Sequence, residues 1–243
     1  MSVAQLEPLD VRRTLVRLVL SGLALALVLS ALGWTLVKLF TPSALTQWED
    51  GVNDAWFLAR TQTLNTLSDI GSHLSDTITA IAVLVVVALV FRLWLGRWRE
   101  SFVLLAAIVG ELLVFLIVTA VVNRERPVVP HLDAAPPTSS FPSGHTAAAV
   151  ALYGCIAVVV WRNLSPRWLA GVVSTLCVLV PFVVGVSRVY RGMHHPTDVV
   201  VGFLGGLTWL LIVLAVMLPR RRPGADVEAA RDDERAVPAA AEA

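Results

Sequence analysis

Six long apolar runs decide what this chain can fold into. Each reaches, or nearly reaches, the roughly 20 residues that a helix needs to cross the hydrocarbon core of a bilayer. Only 15% of the 243 residues are charged, against about 25% in a soluble domain, so a soluble single domain is excluded. We predict an all-α integral membrane protein, a bundle of six transmembrane helices with spans near 18–40, 77–95, 101–122, 145–161, 168–186 and 199–218. The fourth run is the shortest, and its assignment depends partly on the topology.

The Arg residues that flank these runs predict how the bundle is oriented. Cytoplasmic loops are enriched in Lys and Arg, and with six spans every Arg-rich flank falls on one side. We therefore expect a multi-pass protein of the cytoplasmic membrane with both termini in the cytoplasm, and segments 41–76, 123–144 and 187–198 outside. The residues that set this orientation are Arg12, Arg13, Arg17, Arg92, Arg97, Arg99, Arg162, Arg167, Arg220, Arg221 and Arg222.

The chain divides into three predicted parts. Residues 1–17 form a cytoplasmic N-terminal segment, 18–218 the six-span domain, and 219–243 a disordered cytoplasmic tail without apolar periodicity. The first run is longer than an ordinary signal core and no A-x-A site follows it, so a retained helix is expected. Within the first outer loop, 41–76, acidic residues alternate with apolar ones at loosely helical spacing, which predicts interfacial helices; an irregular loop is the alternative.

Several classes of function lack support in this sequence. The Arg residues are scattered between apolar runs rather than gathered on one face, so nucleic-acid binding is not expected. Cys155 and Cys177 lie inside apolar runs and form no C-x-x-C pair, so neither a disulfide framework nor a zinc site is predicted. We expect no cofactor and no metal. The oligomeric state is left open.

Ionisable residues collect at two of the outer loops and at the helix starts that follow them. Charged groups near membrane spans are costly and therefore informative, and cations with imidazoles at one membrane face indicate an anionic substrate. Phosphate fits best, because guanidinium groups and helix N-termini both bind its oxygens. The residues are Arg124, Arg126, His145, Arg188, Arg191, His194, His195 and Asp198.

The tetrapeptide Pro142-Ser143-Gly144-His145 stands at the start of the fourth span. Ser143 can cap the helix and Gly144 permits close backbone approach, so that the first N–H groups can hold phosphate oxygens. His145 is then a candidate proton donor beside the anion. An ordinary helix cap followed by an interfacial His is the alternative.

A second constellation runs from Ser187-Arg188 through His194 to Asp198. Pro196 can occupy the first turn of the sixth span, so His194 lies just ahead of that helix and Asp198 about one turn into it. A carboxylate there can fix one imidazole nitrogen and leave the lone pair of the other free to attack phosphorus. A structural His–Asp pair that caps the helix is the alternative.

These stretches resemble the motifs of the type 2 phosphatidic acid phosphatase superfamily, in its bacterial membrane branch. The family pattern is Lys, six residues, Arg-Pro; then Pro-Ser-Gly-His; then Ser-Arg, five residues, His, three residues, Asp. The second and third motifs match in full, at 142–145 and 187–198, and the first in part, at Arg126-Pro127. The resemblance implies a helical membrane fold and a metal-independent phosphatase whose substrate is a lipid phosphate.

The resemblance also implies roles for individual residues. His194 is similar to the nucleophile that forms a phosphohistidine, and Asp198 to its orienting carboxylate. His145 is similar to the acid that protonates the leaving group and later activates water. The phosphate cradle implied by the motifs consists of Arg126, Arg188, Ser143 and Gly144. Motif spacing assigns the attack to His194 rather than to the adjacent His195.

One position departs from the family pattern. Thr119 stands where the pattern has Lys, and the only Lys in the chain, Lys38, lies at the outer end of the first span. The missing ammonium removes one charge partner for the phosphoryl oxygens. Arg124 or Arg191 could fill the gap, although neither follows from the motif, and we include Arg124 among the predicted substrate-binding residues. We expect the site to remain active.

The predicted activity is the hydrolysis of a lipid phosphomonoester or diphosphate at the outer membrane face. The family implies phosphatidic acid, phosphatidylglycerol phosphate and polyprenyl (di)phosphate as candidates. A phosphotransferase and a non-catalytic phosphate-lipid binder or transporter are the alternatives. The binder is favoured only by Thr119 and by Glu111, an acidic residue in the middle of the third span. A carboxylate there is expensive, and we leave open a polar contact between helices or a proton-linked role.

Overall fold

The computed structural model describes residues 10–39 and 43–218. All regular structure in these ranges is helical, and the helices in chain order are α1 (Val11–Leu39), α2 (Ala44–Leu58), α3 (Gln62–His73), α4 (Thr77–Leu95), α5 (Arg99–Val121), α6 (Gly144–Asn163), α7 (Arg167–Tyr190) and α8 (Pro196–Met217). Of the helices in the described part of the chain, six are long and apolar enough to span a membrane: α1, α4, α5, α6, α7 and α8. The predicted all-α, six-span fold is confirmed.

The segment between α1 and α4 contains two helices, as the sequence predicted, and side-chain caps divide it. Thr46 and Ser43 form a capping box at the start of α2, and Thr61 accepts a hydrogen bond from the Leu64 N–H at the start of α3. Asp76 accepts from the Thr79 N–H (2.7 Å) at the start of α4. Each cap satisfies an N–H group that has no partner within its helix, so the segment is divided into α2 and α3 before α4 re-enters the bundle.

The ends of the predicted domain fall partly outside the described residues. Residues 1–9 and the predicted tail 219–243 lie there, so the structure does not bear on them. Residues 11–17, which we assigned to the cytoplasmic N-terminal segment, belong to α1. Helix α1 therefore extends beyond its apolar run and carries Arg12, Arg13 and Arg17 on its first turns.

Helix α6 lies at the centre of the bundle. It packs against α5, α7 and α8, and it is the most buried of the six spans although its mean hydropathy, 1.6, is the lowest. Small residues on its buried surface, such as Ala147 and Ala151, let the neighbouring helices approach closely. Because α6 faces protein more than lipid, it needs less apolar surface, which explains why its span is the weakest in the sequence.

Two glycines of α8 bring its backbone against the start of α6. A Cβ atom at Gly202 would lie 2.5 Å from the carbonyl oxygen of Ser143, and one at Gly206 would lie 2.6 Å from that of Ala147. Both neighbours are backbone atoms and cannot rotate away. The α6–α8 contact therefore depends on the missing side chains, and it fixes where the segment that contains Ser143 lies.

A short turn joins α7 to α8 and carries the predicted nucleophile. Helix α7 continues beyond its apolar run to Tyr190, so that Arg188 lies in its last turn. Gly192 adopts φ +75°, a left-handed conformation that side chains disfavour, and α8 begins at Pro196. This tight reversal directs His194 back into the bundle.

We predict that Gly206→Leu will lower the stability of the bundle, because its side chain must displace backbone atoms of α6. Overpacking of this kind costs about 1–3 kcal/mol. The measurement is the apparent unfolding temperature of the purified protein in detergent. Gly51→Ala is the matched control, since a Cβ there meets nothing within 4 Å. An unfolding temperature for Gly206→Leu equal to that of the wild type would contradict the prediction.

Candidate active site

A cavity of about 610 Å³ opens at one end of the bundle, where distant parts of the chain meet. Its walls come from the α3–α4 junction, from α5, from the loop between α5 and α6, from the start of α6, and from the end of α7 with the turn after it. Five of the predicted site residues line it: Arg126, Gly144, His145, Arg188 and His194. The structure thus brings side chains from all three motif segments to one pocket.

His194 is held by a backbone carbonyl group. Its side chain is buried, and Nδ1 lies 2.7 Å from the carbonyl oxygen of Ser140. A ring nitrogen at this distance from a carbonyl oxygen donates a hydrogen bond, so Nδ1 carries the proton and Nε2 carries the lone pair. That is the tautomer that a nucleophilic imidazole requires. The sequence did not reveal Ser140 in this role, because an orienting carbonyl group leaves no mark on residue type.

Asp198 lies in the first turn of α8, as the sequence predicted, but its side chain does not form the predicted hydrogen bond with His194. Its carboxylate lies 3.9 Å from His194 Nδ1, beyond hydrogen-bond range. Instead it accepts from the backbone N–H of His195 (2.9 Å) and so caps α8. Its own carbonyl oxygen accepts from the N–H of Ser143 (2.9 Å). Asp198 therefore joins the start of α8 to the start of α6, and it supports His194 through the turn and through its charge.

Arg124 does not line the cavity. Its guanidinium group donates to Asp198 Oδ1 (2.5 Å), Thr197 Oγ1 (2.7 Å) and Glu49 Oε2 (2.6 Å). Both carboxylates are completely buried, so this guanidinium is committed to neutralising them. Our expectation that Arg124 replaces the missing Lys at the phosphate therefore has no support in this geometry. Glu49 of α2 was missed, because its sequence context resembles the solvated face of an amphipathic helix.

Arg126 and Arg188 both keep donors free in the cavity wall. Arg126 Nη1 donates to the carbonyl oxygen of Met193 (2.7 Å), and Arg188 Nη1 donates to Ser72 Oγ (2.8 Å) and Asp133 Oδ2 (2.7 Å). The Nε atom of each is buried and has no hydrogen-bond partner among the described residues. A buried donor without a partner costs free energy. Both residues line the cavity, and guanidinium groups bind the oxygens of phosphate, so an oxyanion can bind between them.

The start of α6 supplies backbone donors to the same pocket. Gly144 and His145 line the cavity, and N–H groups in the first turn of a helix have no partner within it. Ser143 leaves these groups uncapped, because its hydroxyl group pairs with Thr146 Oγ1 (2.9 Å). The Ser143 side chain is fully buried and does not line the cavity, so its predicted contact with phosphate is not formed here. A Cβ at Gly144 would lie 2.8 Å from the Phe115 ring, so that position lacks room for a side chain.

Asp133, which the sequence analysis did not identify, balances the cations at the end of α7. It binds Arg188 and also Arg191, whose Nη2 lies 2.5 Å from Asp133 Oδ1. Burial alone would raise the pKa of Asp133, but hydrogen bonds from Arg191 and Arg188 hold it below the ordinary value of 3.8. Arg191 also contacts Asp69 (2.9 Å), so its charge is already paired. It therefore does not replace the Lys that is missing at Thr119.

His73, on the α3–α4 side of the cavity rim, has a pKa shifted in the opposite direction from that of His194. His73 Nδ1 lies 2.6 Å from Asp76 Oδ2, and this hydrogen bond raises the pKa of His73 above its ordinary value of 6.5. Burial, and next the charge of Arg188, lower the pKa of His194 well below that value. The site thus combines a rim imidazole that favours the cation with a buried imidazole that favours the neutral form.

We predict that these two histidines titrate on opposite sides of pH 6.5. At about pH 6, His194 should be neutral and His73 protonated. The unfolded chain takes up the His194 proton near pH 6.5 and the folded chain does not, so this group lowers stability as the pH falls below that value. The measurement is imidazole ¹⁵N NMR of histidine-labelled protein, assigned with His73→Gln and His194→Gln. Protonated His194 at pH 6 would refute the prediction.

We also predict that Arg124→Gln is strongly destabilising. The change leaves the carboxylates of Glu49 and Asp198 buried without their cation, which typically costs about 3–5 kcal/mol. Arg13→Gln is the matched control, because Arg13 forms an exposed pair with Asp10 worth at most about 1 kcal/mol. The measurement is thermal unfolding in detergent. Equal unfolding temperatures for the two variants would show that the buried network does not stabilise the fold.

Comparisons with known proteins agree with this architecture. The family model of the PAP2 superfamily matches residues 100–222. Phosphatidylglycerophosphatase B of Bacillus subtilis (strain 168) is 27% identical over 183 residues, which cover 70% of this chain and 84% of that protein. The matched family segment contains the loop before α6, the start of α6, the end of α7 and the start of α8. It therefore includes all the predicted site residues that line the cavity, whereas the lining residues within 69–81, from α3, α4 and the turn between them, lie outside it.

Two solved structures share the fold. A transmembrane PAP2-type phosphatidylglycerolphosphate phosphatase from Bacillus subtilis superposes with a TM-score of 0.71 at 24% identity, covering 84% of this chain and 98% of that one. LpxE of Aquifex aeolicus superposes with a TM-score of 0.54 at 24% identity, covering 71% of this chain and 96% of that one. At these identities the two structures establish the likeness of the fold alone.

Proposed function

Because the chain belongs to the PAP2 superfamily, we propose that it is a membrane phosphatase that hydrolyses a lipid phosphomonoester or diphosphate through a phosphohistidine intermediate. The observation that carries the proposal is the cavity itself. In it, His194, which keeps its lone pair on Nε2, shares one pocket with His145 and with the guanidinium groups of Arg126 and Arg188. The catalytic unit is the six-span region 18–218.

In the first step, His194 Nε2 attacks phosphorus. The hydrogen bond from Nδ1 to Ser140 holds the ring in the reactive tautomer and disperses the positive charge that develops on it. A P–N bond forms as the P–O bond to the lipid breaks, and His145 gives its proton to the departing oxygen. Arg126, Arg188 and the first N–H groups of α6 stabilise the equatorial oxygens, where one well-placed donor supplies about 3 kcal/mol.

In the second step, water replaces the histidine. His145, now neutral, accepts a proton from the water as its oxygen attacks phosphorus. The P–N bond breaks, inorganic phosphate leaves, and the electron pair returns to His194 Nε2. Neither step uses a metal-bound hydroxide, so turnover is metal-independent in this proposal.

The shape of the cavity supports an amphiphilic substrate. Its lower half, which we define as Ala80, Ile81, Ile108, Glu111, Leu112 and Ala148, lies between α4, α5 and α6. Ile81 and Leu112 line this half and are 55% and 48% exposed. A phosphate headgroup can therefore occupy the cradle while the tail extends into the bilayer between α4 and α5. Phosphatidic acid, phosphatidylglycerol phosphate and polyprenyl diphosphate all have this form.

The site is proposed to face the outside of the cytoplasmic membrane. The Arg-rich flanks of α1, α4, α5, α6 and α7 lie at the ends of these helices remote from the cavity, and basic flanks are normally cytoplasmic. The lipid partner is thus taken from the outer leaflet. The name of the Bacillus subtilis relative supports phosphatidylglycerol phosphate as one candidate.

We predict that His194→Ala lowers phosphate release at least about a thousandfold, because no other group replaces the nucleophile. The assay uses purified protein in detergent micelles, a panel of lipid phosphates, and EDTA throughout. EDTA should leave the wild-type rate unchanged. A radiolabelled phosphoenzyme should be trapped by quenching in alkaline detergent, in which a P–N bond survives, in the wild type and be absent in His194→Ala.

Two controls make this test specific. His131→Ala should keep wild-type turnover, because His131 is not among the residues that line the cavity and its ring nitrogen lies 3.1 Å from the carbonyl oxygen of Pro127. His195→Ala should still form the phosphoenzyme. A phosphoenzyme that survives His194→Ala and disappears in His195→Ala would reverse the assignment of the nucleophile. Loss of turnover in EDTA would require a different mechanism.

A further inference from the structure

Glu111 is a buried acidic side chain for which the catalytic steps have no use. It lies in the middle of α5, is 6% exposed, and lines the cavity. Among residues 10–39 and 43–218, no group forms a hydrogen bond or an ion pair with it. Its carboxyl oxygens are not fully enclosed, in contrast to the orphaned Thr119 Oγ1 on the same helix. The polar contact between helices that the sequence allowed is therefore absent within the described residues, and Glu111 lines both this cavity and a much smaller one toward α1 and α8.

The depth of Glu111 can be measured along α5. The ring of Phe115 reaches the position where a Gly144 Cβ would be, so Phe115 lies level with the phosphate cradle at the start of α6. Glu111 precedes Phe115 by four residues, which is about 6 Å along a helix, in the direction of the bilayer centre. It is thus one helical turn below the place where phosphorus reacts.

At that depth the surroundings are apolar. The other members of the lower half, as the structure describes it, are Ala80, Ile81, Ile108, Leu112 and Ala148. A carboxyl group without a partner is costly in such a place. A ligand that brought a hydrogen-bonding group to it would recover that cost, whereas a plain hydrocarbon chain would leave the carboxyl group unpaired.

Lipid phosphates differ in what they present just below phosphorus. In a glycerolipid phosphate, the carbon beside the phosphate-bearing carbon carries a hydroxyl or an ester oxygen. In an alkyl or polyprenyl phosphate, the same region is hydrocarbon. A carboxylate accepts from a hydroxyl group, and a neutral carboxylic acid can also donate to an ester carbonyl. Either form of Glu111 therefore matches the glycerol linkage and not the hydrocarbon.

We propose that Glu111 is a specificity-determining residue that binds the oxygen-bearing linkage between phosphate and tail, so that the enzyme prefers glycerolipid phosphates to phosphates of plain hydrocarbon alcohols. This inference rests on the proposed phosphatase function. A site that is built to hydrogen-bond a substrate group rejects the analogue without it, because the buried polar atom of the site then stays unpaired.

The test compares two substrates of matched chain length in the same micelles: a lysophosphatidic acid, with its free hydroxyl and ester, and a simple alkyl monophosphate. Wild-type kcat/KM should favour lysophosphatidic acid about tenfold or more, the value of one good hydrogen bond in a buried site. Glu111→Leu should remove most of this preference through a loss on lysophosphatidic acid. Glu111→Gln, which still donates and accepts, should retain it. Leu113→Ala is the matched control, since Leu113 lies on the exposed side of the same helix.

Three outcomes would overturn the inference. Equal wild-type kcat/KM for the two substrates would do so whether or not any variant folds. A Glu111→Leu variant that slows both substrates by the same factor would assign Glu111 a structural role. A Glu111→Leu variant that keeps the wild-type preference would remove Glu111 from recognition altogether. Failure of the proposed function would look different, because the wild type would then release no phosphate from either substrate.

Discussion

The buried guanidinium of Arg124 is the interaction on which the geometry of the site depends. It links Glu49 of α2 to Asp198 of α8, and both carboxylates are fully enclosed. Taking three charges out of water is expensive, and the attraction between them offsets that cost only where the remaining lone pairs are also satisfied. Here they are satisfied, because Glu49 Oε1 accepts from the N–H and the hydroxyl group of Thr197, and Asp198 accepts from His195. The network therefore fixes the first turn of α8, and through it the turn that carries His194.

Backbone groups complete the frame that this network begins. The Ser143 N–H donates to the carbonyl of Asp198, and the carbonyls of Ser140 and Met193 hold His194 and Arg126. Gly202 allows the α8 backbone to reach Ser143. The reactive groups are thus fixed by atoms that have no rotamers to lose, while the side chains of Arg126, Arg188 and His194 line the cavity. A site organised in this way needs little reorganisation when charge develops on a phosphoryl group.

The sequence predicted the elements better than their contacts, and the reasons are physical. The six spans could be predicted because lipid requires long apolar runs, and the motif spacing predicted that residues such as His145 and His194 would share a pocket. The direction of a side chain leaves no comparable pattern. Arg124 and Arg126 are neighbours in one motif, yet the first binds buried carboxylates and the second lines the cavity. Glu49 and Asp133 were missed because a single acidic residue in a polar segment looks the same whether it is solvated or buried.

The absence of the family Lys has a consequence for how the proposed substrate is held. Position 119 offers a hydroxyl group that is buried away from the cavity, and Arg191 is already paired with Asp69 and Asp133. Asp133 also binds Arg188, so an incoming phosphate shares that guanidinium with a carboxylate. The part of the cavity that contains Arg126 and Arg188 therefore attracts an anion less strongly than its number of cations suggests.

A lipid phosphate adds the burial of its tail against the lower half of the cavity, worth about 25 cal/mol per Å² of apolar surface, whereas the free phosphate product gains nothing there. Under the proposed function, this difference retains the substrate and releases the product.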